Sequence, residues 1–155
     1  MVVLVTGGAG FVGSSLAIRL REGRQGARVI ALDNLMRRGS ELNLPRLRQA
    51  GVEFLHGDVR QPSDLAAAGP VDCVVDCAAE PSAQAGYSGS PDYVLGTNLI
   101  GTINALEVAR RHGASFVFLS SSRVYPYDAI NGLRYDETDW RFALAPGQAV
   151  PGVSA

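Results

Sequence analysis

Three glycines spaced three apart, Gly7, Gly10 and Gly13, follow directly on an unbroken apolar run, Val2-Val3-Leu4-Val5-Thr6. An apolar run without alternation reads as a strand buried on both faces, as in parallel sheets. Residues 13–22 read as a helix. Strand, glycine turn and helix in that order open a β-α-β unit. Glycines at the turn let the backbone bend sharply and let another group approach it closely.

The alternation continues along the chain. Arg28-Val29-Ile30-Ala31-Leu32 reads as a second strand ending at Asp33. Residues 40–50 read as a helix from the recurrence of Leu42, Leu47 and Ala50, with Gly51 as its stop. Residues 52–55, 71–77 and 114–119 read as strands three, four and five, and 61–68 as a short helix with Pro62 in its first turn. Ser90-Pro91-Asp92 has the form of a helix start, and the helix it opens runs over 91–112 to a stop at Gly113. Leu95, Leu99, Ile103 and Leu106 in that helix are expected in the core. The alternation of strands and helices gives the α/β class with a parallel sheet. Beyond Leu119 the pattern stops, and residues 120–155 are expected to be irregular.

Composition narrows the partners. The chain has 155 residues, 46% hydrophobic and 19% charged, with a net charge of −1. That is one globular domain. No basic tract recommends a nucleic acid, no apolar run is long enough for a membrane span, and the N-terminus lacks a basic leader. Cys73 and Cys77 lie four apart along an expected strand, about 13 Å, too far for a disulfide. They read as small core residues of a protein in a reducing, cytoplasmic compartment. Neither His56 nor His112 joins them at a ligand spacing, so no metal site is expected. All 14 basic residues are arginine. Chemistry that needs a lysine inside this polypeptide is excluded.

The glycine loop points to a phosphate ligand. Its amides and the helix N-terminus present positive partial charge to a pyrophosphate. Asp33, about twenty residues after the loop, stands at the end of strand two, where a carboxylate accepts both ribose hydroxyls. Together they read as a dinucleotide site. The carboxylate repels a 2′-phosphate, favouring NAD over NADP. Arg37 and Arg38 point the other way, or are a solvated loop.

More landmarks occur in order. They are Asp33-Asn34-Leu35, Gly57-Asp58-Val59-Arg60, Ala78-Ala79-Glu80-Pro81-Ser82, Thr97-Asn98-Leu99-Ile100-Gly101-Thr102 and Ser120-Ser121-Ser122-Arg123-Val124-Tyr125. With Gly-x-x-Gly-x-x-Gly they resemble the extended short-chain dehydrogenase/reductases, the NAD-dependent epimerase/dehydratase family. The stretches 33–44 and 135–142 resemble CDP-paratose/CDP-tyvelose 2-epimerase-like nucleotide-sugar epimerases. UDP-glucose epimerases, UDP-glucuronate enzymes and dTDP-glucose dehydratases share the first-half motifs.

The resemblance implies a Rossmann-like doubly wound parallel sheet, order 3-2-1-4-5, incomplete at its C-terminal side with strand five at an edge, and it implies roles by position. Gly7, Gly10 and Gly13, with Phe11 and Val12 between them, would line the pyrophosphate. Asp33 would hold the adenosine ribose with Asn34 nearby. Asp58 and Val59 would flank the adenine, and Ala78 and Ala79 would let the backbone pass the cofactor. Asn98 would brace the active-site strand end, and Ser121 would be the catalytic hydroxyl, with Ser120 and Ser122 as the alternatives if the register slips. Part of the helix 91–112 would form a homodimer face. In the family a tyrosine and a lysine, as Tyr-x-x-x-Lys, complete the hydride-transfer site; this sequence contains neither that motif nor any lysine. The expected organisation is therefore a truncated NAD-binding core over 1–120 and an active-site loop and tail over 121–155, with the substrate domain absent. Such a chain reads as the N-terminal portion of a nucleotide-sugar epimerase, inactive alone. A non-catalytic NAD-binding module and one chain of a split enzyme are the alternatives.

Overall fold

The N-terminal apolar run is a strand, β1 (Val2–Thr6), buried because side chains cover both of its faces. The structure, a computed structural model, describes residues 1–82, 84–87, 89–121 and 127–148. The chain divides into two compact units, Met1–Leu119 and Ser120–Ala155.

In the first unit β1 leads into α1 (Phe11–Gly23) and β2 (Arg28–Asp33). A 3₁₀ turn (Ser40–Asn43) runs into α2 (Leu44–Gln49), followed by β3 (Glu53–His56), α3 (Pro62–Ala66) and β4 (Cys73–Asp76). Then come α4 (Asp92–Leu95), a π-helical segment (Gly96–Gly101), α5 (Thr102–His112) and β5 (Ser115–Phe118). The five strands are parallel in the order β3-β2-β1-β4-β5, as the resemblance implies.

Alternate side chains of each strand serve opposite layers. Leu4, Ile30, Leu32 and Val74 pack with Leu65 of α3 and with Ala105 and Val108 of α5. Val3, Val5, Val29, Ala31 and Val75 pack with Ala17 of α1 and Leu47 of α2. Burial on both faces is why the strands read as continuous apolar runs. Each fully buried valine, leucine or isoleucine among them contributes about 1.5–3 kcal/mol.

Several expectations are corrected. The first helix begins at Phe11, two residues before the expected start, because Gly10 already serves as its N-cap. Residues 40–50 open as a 3₁₀ turn, which leaves Leu42 exposed while Leu47 is buried. The fourth strand stops at Asp76, so Cys77 lies beyond it; both thiols are free and only half-buried. The long helix is interrupted by the π segment. Leu95, Leu99, Ile103 and Leu106 are exposed, not core: the face of α5 turned to the sheet carries the smaller Ala105, Val108 and Ala109. Leu95, Leu99, Ile103 and Leu106 form a second apolar stripe, away from the sheet, that runs from α4 through the π segment into α5.

The second unit is not irregular throughout. It holds α6 (Tyr127–Asn131) and an antiparallel pair, β6 (Tyr135–Glu137) and β7 (Phe142–Leu144). Tyr135 and Phe142 meet edge to face at 5.3 Å. Thr138 accepts the Arg141 amide through its hydroxyl and returns a bond to the Arg141 carbonyl. Gln148 binds the Arg134 backbone from both sides. Three-residue strands carry no readable periodicity, which is why the sequence conceals them.

Candidate functional site

The connections leave β1 and β4 in opposite directions across the sheet, and their C-terminal ends open a crevice of the kind that receives ligands in such folds. The cleft there holds about 570 Å³ of space, solvent included. Gly7 and Gly10 come from the β1–α1 loop; Leu32, Asp33, Asn34, Arg37 and Ser40 come from the end of β2 and beyond. Gly57 and Val59 follow β3, and Cys77, Ala78, Ala79 and Glu80 follow β4. Tyr93 and Thr97 close the cleft from α4 and the π segment.

The glycine loop lies directly against the chain leaving β4. Gly7 has φ of +60°, and a Cβ there would stand 2.7 Å from the Cys77 carbonyl oxygen. A Cβ on Gly13 would fall 2.1 Å from the Gly7 carbonyl oxygen, so α1 can approach the loop only without one. Gly10 differs. Its Cβ would meet only the Gly7 oxygen, at 3.1 Å, and the position otherwise opens onto the cleft. The α1 N-terminus has no side-chain cap and no acid in its first turn. Its free amides and dipole are thus available to an external anion.

Two carboxylates anchor this geometry. Buried Asp76 accepts from the hydroxyls of Thr6 and Thr102. Thr6 in turn accepts the Cys77 and Ala78 amides at 3.1 and 3.2 Å, tying the ends of β1 and β4 together. Asp33 accepts the Ala9 amide at 3.0 Å through one oxygen and the Leu35 amide at 2.8 Å through the other. Each oxygen keeps a lone pair for a diol. Burial, with Asp76 beside it, pushes the Cys77 thiol up to about 11, so the thiol is protonated at neutral pH.

Asp58 faces differently from its neighbours. Its carboxylate accepts two guanidinium bonds from Arg60, at 2.9 and 2.6 Å, the Arg60 amide, and the Asn34 side chain at 2.9 Å. The Arg60 guanidinium holds its carboxyl well below the usual range, as does Asn34. Arg60 also lies over the Tyr93 ring at 4.9 Å. Asn98 accepts the Glu80 amide at 2.7 Å and donates to the Glu80 carbonyl at 3.1 Å, bracing the segment after β4 from both sides.

The cleft therefore brings together Gly7, Gly10, Asp33, Asn34, Val59, Ala78 and Ala79 of the residues singled out in the sequence. Phe11, Val12 and Gly13 form the first turn of α1, and Asp58 and Asn98 support cleft residues through their hydrogen bonds. Ser121 is exposed and belongs to the second unit; residues 122–126, with the alternative Ser122, lie outside the described residues. Thr97 was not foreseen. It is 7% exposed, lines the cleft, and its hydroxyl has no hydrogen-bond partner among the described residues. Leaving a buried hydroxyl unpaired costs about 1–3 kcal/mol. The only sequence signal for Thr97 was its position before Asn98 in a recognisable motif.

Comparison with known proteins agrees with this geometry. Residues 3–142 match the model of the "NAD dependent epimerase/dehydratase family". The chain is 33% identical over 146 residues to CDP-paratose 2-epimerase of Salmonella typhi, covering 92% of this chain and 42% of that protein. It is 40% identical over 124 residues to UDP-glucuronic acid decarboxylase 1 of Arabidopsis thaliana, covering 79% of this chain and 27% of that one. Among solved structures, a UDP-glucose-4-epimerase from Stenotrophomonas maltophila with bound NAD and formylated UDP-arabinopyranose superposes with a TM-score of 0.69 at 32% identity, covering 81% of this chain and 38% of that one. The chain thus spans less than half the length of each of these relatives.

Proposed function

The chain belongs to the NAD dependent epimerase/dehydratase family, and on that premise we propose that it is the NAD-binding, N-terminal portion of an enzyme acting on nucleotide sugars. The observation that carries the reading is the cleft itself: a fixed Asp33 carboxylate, an uncapped α1 N-terminus and the unpaired Thr97 hydroxyl line or border one space. These donors and acceptors fit a dinucleotide. Gly7, Gly10 and Gly13, with the Phe11 and Val12 amides, would hold the pyrophosphate. Asp33 would hold the ribose and Asn34 would stand beside it. Val59, Ala78 and Ala79 would flank the base, with Asp58 and Asn98 keeping their loops in place. Thr97 would meet a polar atom of the cofactor. When bound, NAD supplies a reversible hydride acceptor.

Relatives whose names specify CDP-paratose and UDP-glucuronic acid support a nucleotide-sugar substrate, and the motifs at 33–44 and 135–142 favour a 2-epimerase-like reaction. Ser121 would contribute a hydroxyl to that chemistry. Without a lysine, the 155-residue chain by itself is expected to bind cofactor and not turn over substrate. The exposed stripe of Leu95, Leu99, Ile103 and Leu106 suits a homodimer through this helix. Two free thiols suit a cytoplasmic location. Among the described residues no helix is long and apolar enough to cross a membrane.

Titration with NAD tests the cofactor assignment. The wild-type chain is expected to bind, and Gly10→Asp, which places a carboxylate at the anion site, to lose binding. Equal behaviour of the two proteins would sink the assignment. Turnover of a nucleotide sugar by the purified chain alone would refute the expected inactivity.

A further inference from the structure

Arg37 is the one cation among the described residues that line the cleft. It follows β2 four residues after Asp33, the region where a guanidinium in folds of this class receives a 2′-phosphate. It is not left unengaged. The Glu80 carboxylate, arriving from the far side of the cleft after β4, lies 3.6 Å from the Arg37 guanidinium. Glu80 is the better fixed partner: its side chain is 19% exposed against 64% for Arg37. One of its carboxylate oxygens accepts the Ser82 amide at 2.9 Å. Its backbone is clamped on both sides by Asn98.

We propose that Glu80 is a cofactor-selectivity residue: by pairing with Arg37 across the cleft it withholds the one nearby guanidinium from a 2′-phosphate, so that the site rejects the phosphorylated dinucleotide. This rests on the assignment of the cleft to a dinucleotide and deepens it. Asp33 alone repels a 2′-phosphate, but an unpaired Arg37 beside it would offset that repulsion. With Glu80 present, the guanidinium already faces a carboxylate at 3.6 Å, and the repulsion from Asp33 stands unopposed. Asn98 and Ser82 act as positioning groups that hold Glu80 where Arg37 can reach it.

The experiment is a double-mutant cycle read as the ratio of NADP to NAD affinity, measured by calorimetric titration of the full chain. Glu80→Gln keeps the shape and the backbone clamp and removes the charge. It is expected to raise the ratio about five- to tenfold, the scale of a partly exposed ion pair acting on a divalent phosphate. Adding Arg37→Gln should abolish the gain, whereas Arg37→Gln alone should move the wild-type ratio by less than about twofold. A ratio unchanged in Glu80→Gln, or a gain that survives in the double variant, would overturn the proposal. Equal weakening of both dinucleotides in Glu80→Gln would show a merely structural role and overturn it too. The dinucleotide assignment fails separately, by the absence of NAD binding to the wild-type chain.

Discussion

Gly13→Ala gives the sharpest physical test of the site's construction. Gly13 lies inside α1, where alanine is normally favoured over glycine by about 1 kcal/mol. On propensity alone the change would stabilise. The new methyl, however, would sit 2.1 Å from the Gly7 carbonyl oxygen, 2.8 Å from its carbon and 3.1 Å from the Gly8 Cα. The closest of these is about 1.3 Å short of ordinary contact, and all three atoms are backbone. The loop cannot retreat, since Gly7 already lies against Cys77 and Ala78 and Gly8 against Ala31. Relief therefore requires α1 to withdraw from the sheet, opening the layer in which Ala17 packs with Val5 and Leu47. Overpacking of this kind costs about 1–3 kcal/mol, and with an anchored backbone the upper end applies. Net of propensity, the variant should lose about 2 kcal/mol, or roughly 8 °C in Tm. Urea and thermal unfolding by circular dichroism measure both. Gly10→Ala is the control: with one neighbour at 3.1 Å it should unfold within about 0.5 kcal/mol of wild type. A Gly13→Ala chain that melts at or above the wild-type temperature would refute the packing account of the glycine spacing.

Thr97→Val should act with opposite signs on stability and binding: removing an unpaired buried hydroxyl stabilises the free chain by about 1 kcal/mol, while NAD affinity falls about tenfold. Unfolding with and without NAD reads both effects. Asp58 is held below its unfolded value by Arg60, so its contribution is present above about pH 4 and is lost as pH falls toward the lower folded value. Asp58→Asn should therefore be less stable than wild type at pH 7, with the gap narrowing toward pH 2 in urea titrations. Ile103→Glu places a charge on the exposed apolar stripe; light scattering should show a dimer in wild type and a monomer in the variant, with unchanged melting.

How far the site was legible depended on what each residue does. The place of Gly7, Asp33 and Ala78 at the cleft was readable because a glycine turn and a position at a strand end both follow from the order of strands and turns. The Asp58–Arg60–Asn34 network was not readable in the same way. Nothing in Gly57-Asp58-Val59-Arg60 says that the arginine two residues on folds back onto the carboxylate. Thr97 and Glu80 were hidden for a related reason: burial without a partner, and pairing across a cleft, arise only when α4, the π segment and the post-β4 chain are placed beside one another. Leu99 and Ile103 show the converse failure. Their helical spacing was genuine, but periodicity gives a stripe without saying which of two stripes meets the sheet.

The sequence by itself determined the α/β class and which turns follow which strands, because continuous apolar strands, glycine turns and helix stops act locally or through nearest neighbours. It also determined that no lysine chemistry can arise within these 155 residues. Only the tertiary structure decided which carboxylates are committed and which keep lone pairs for a ligand. Hydrogen-bond capacity is settled by contacts between residues far apart in the chain: Asp33 with Ala9, Asp76 with Thr6 and Thr102, and Asp58 with Asn34.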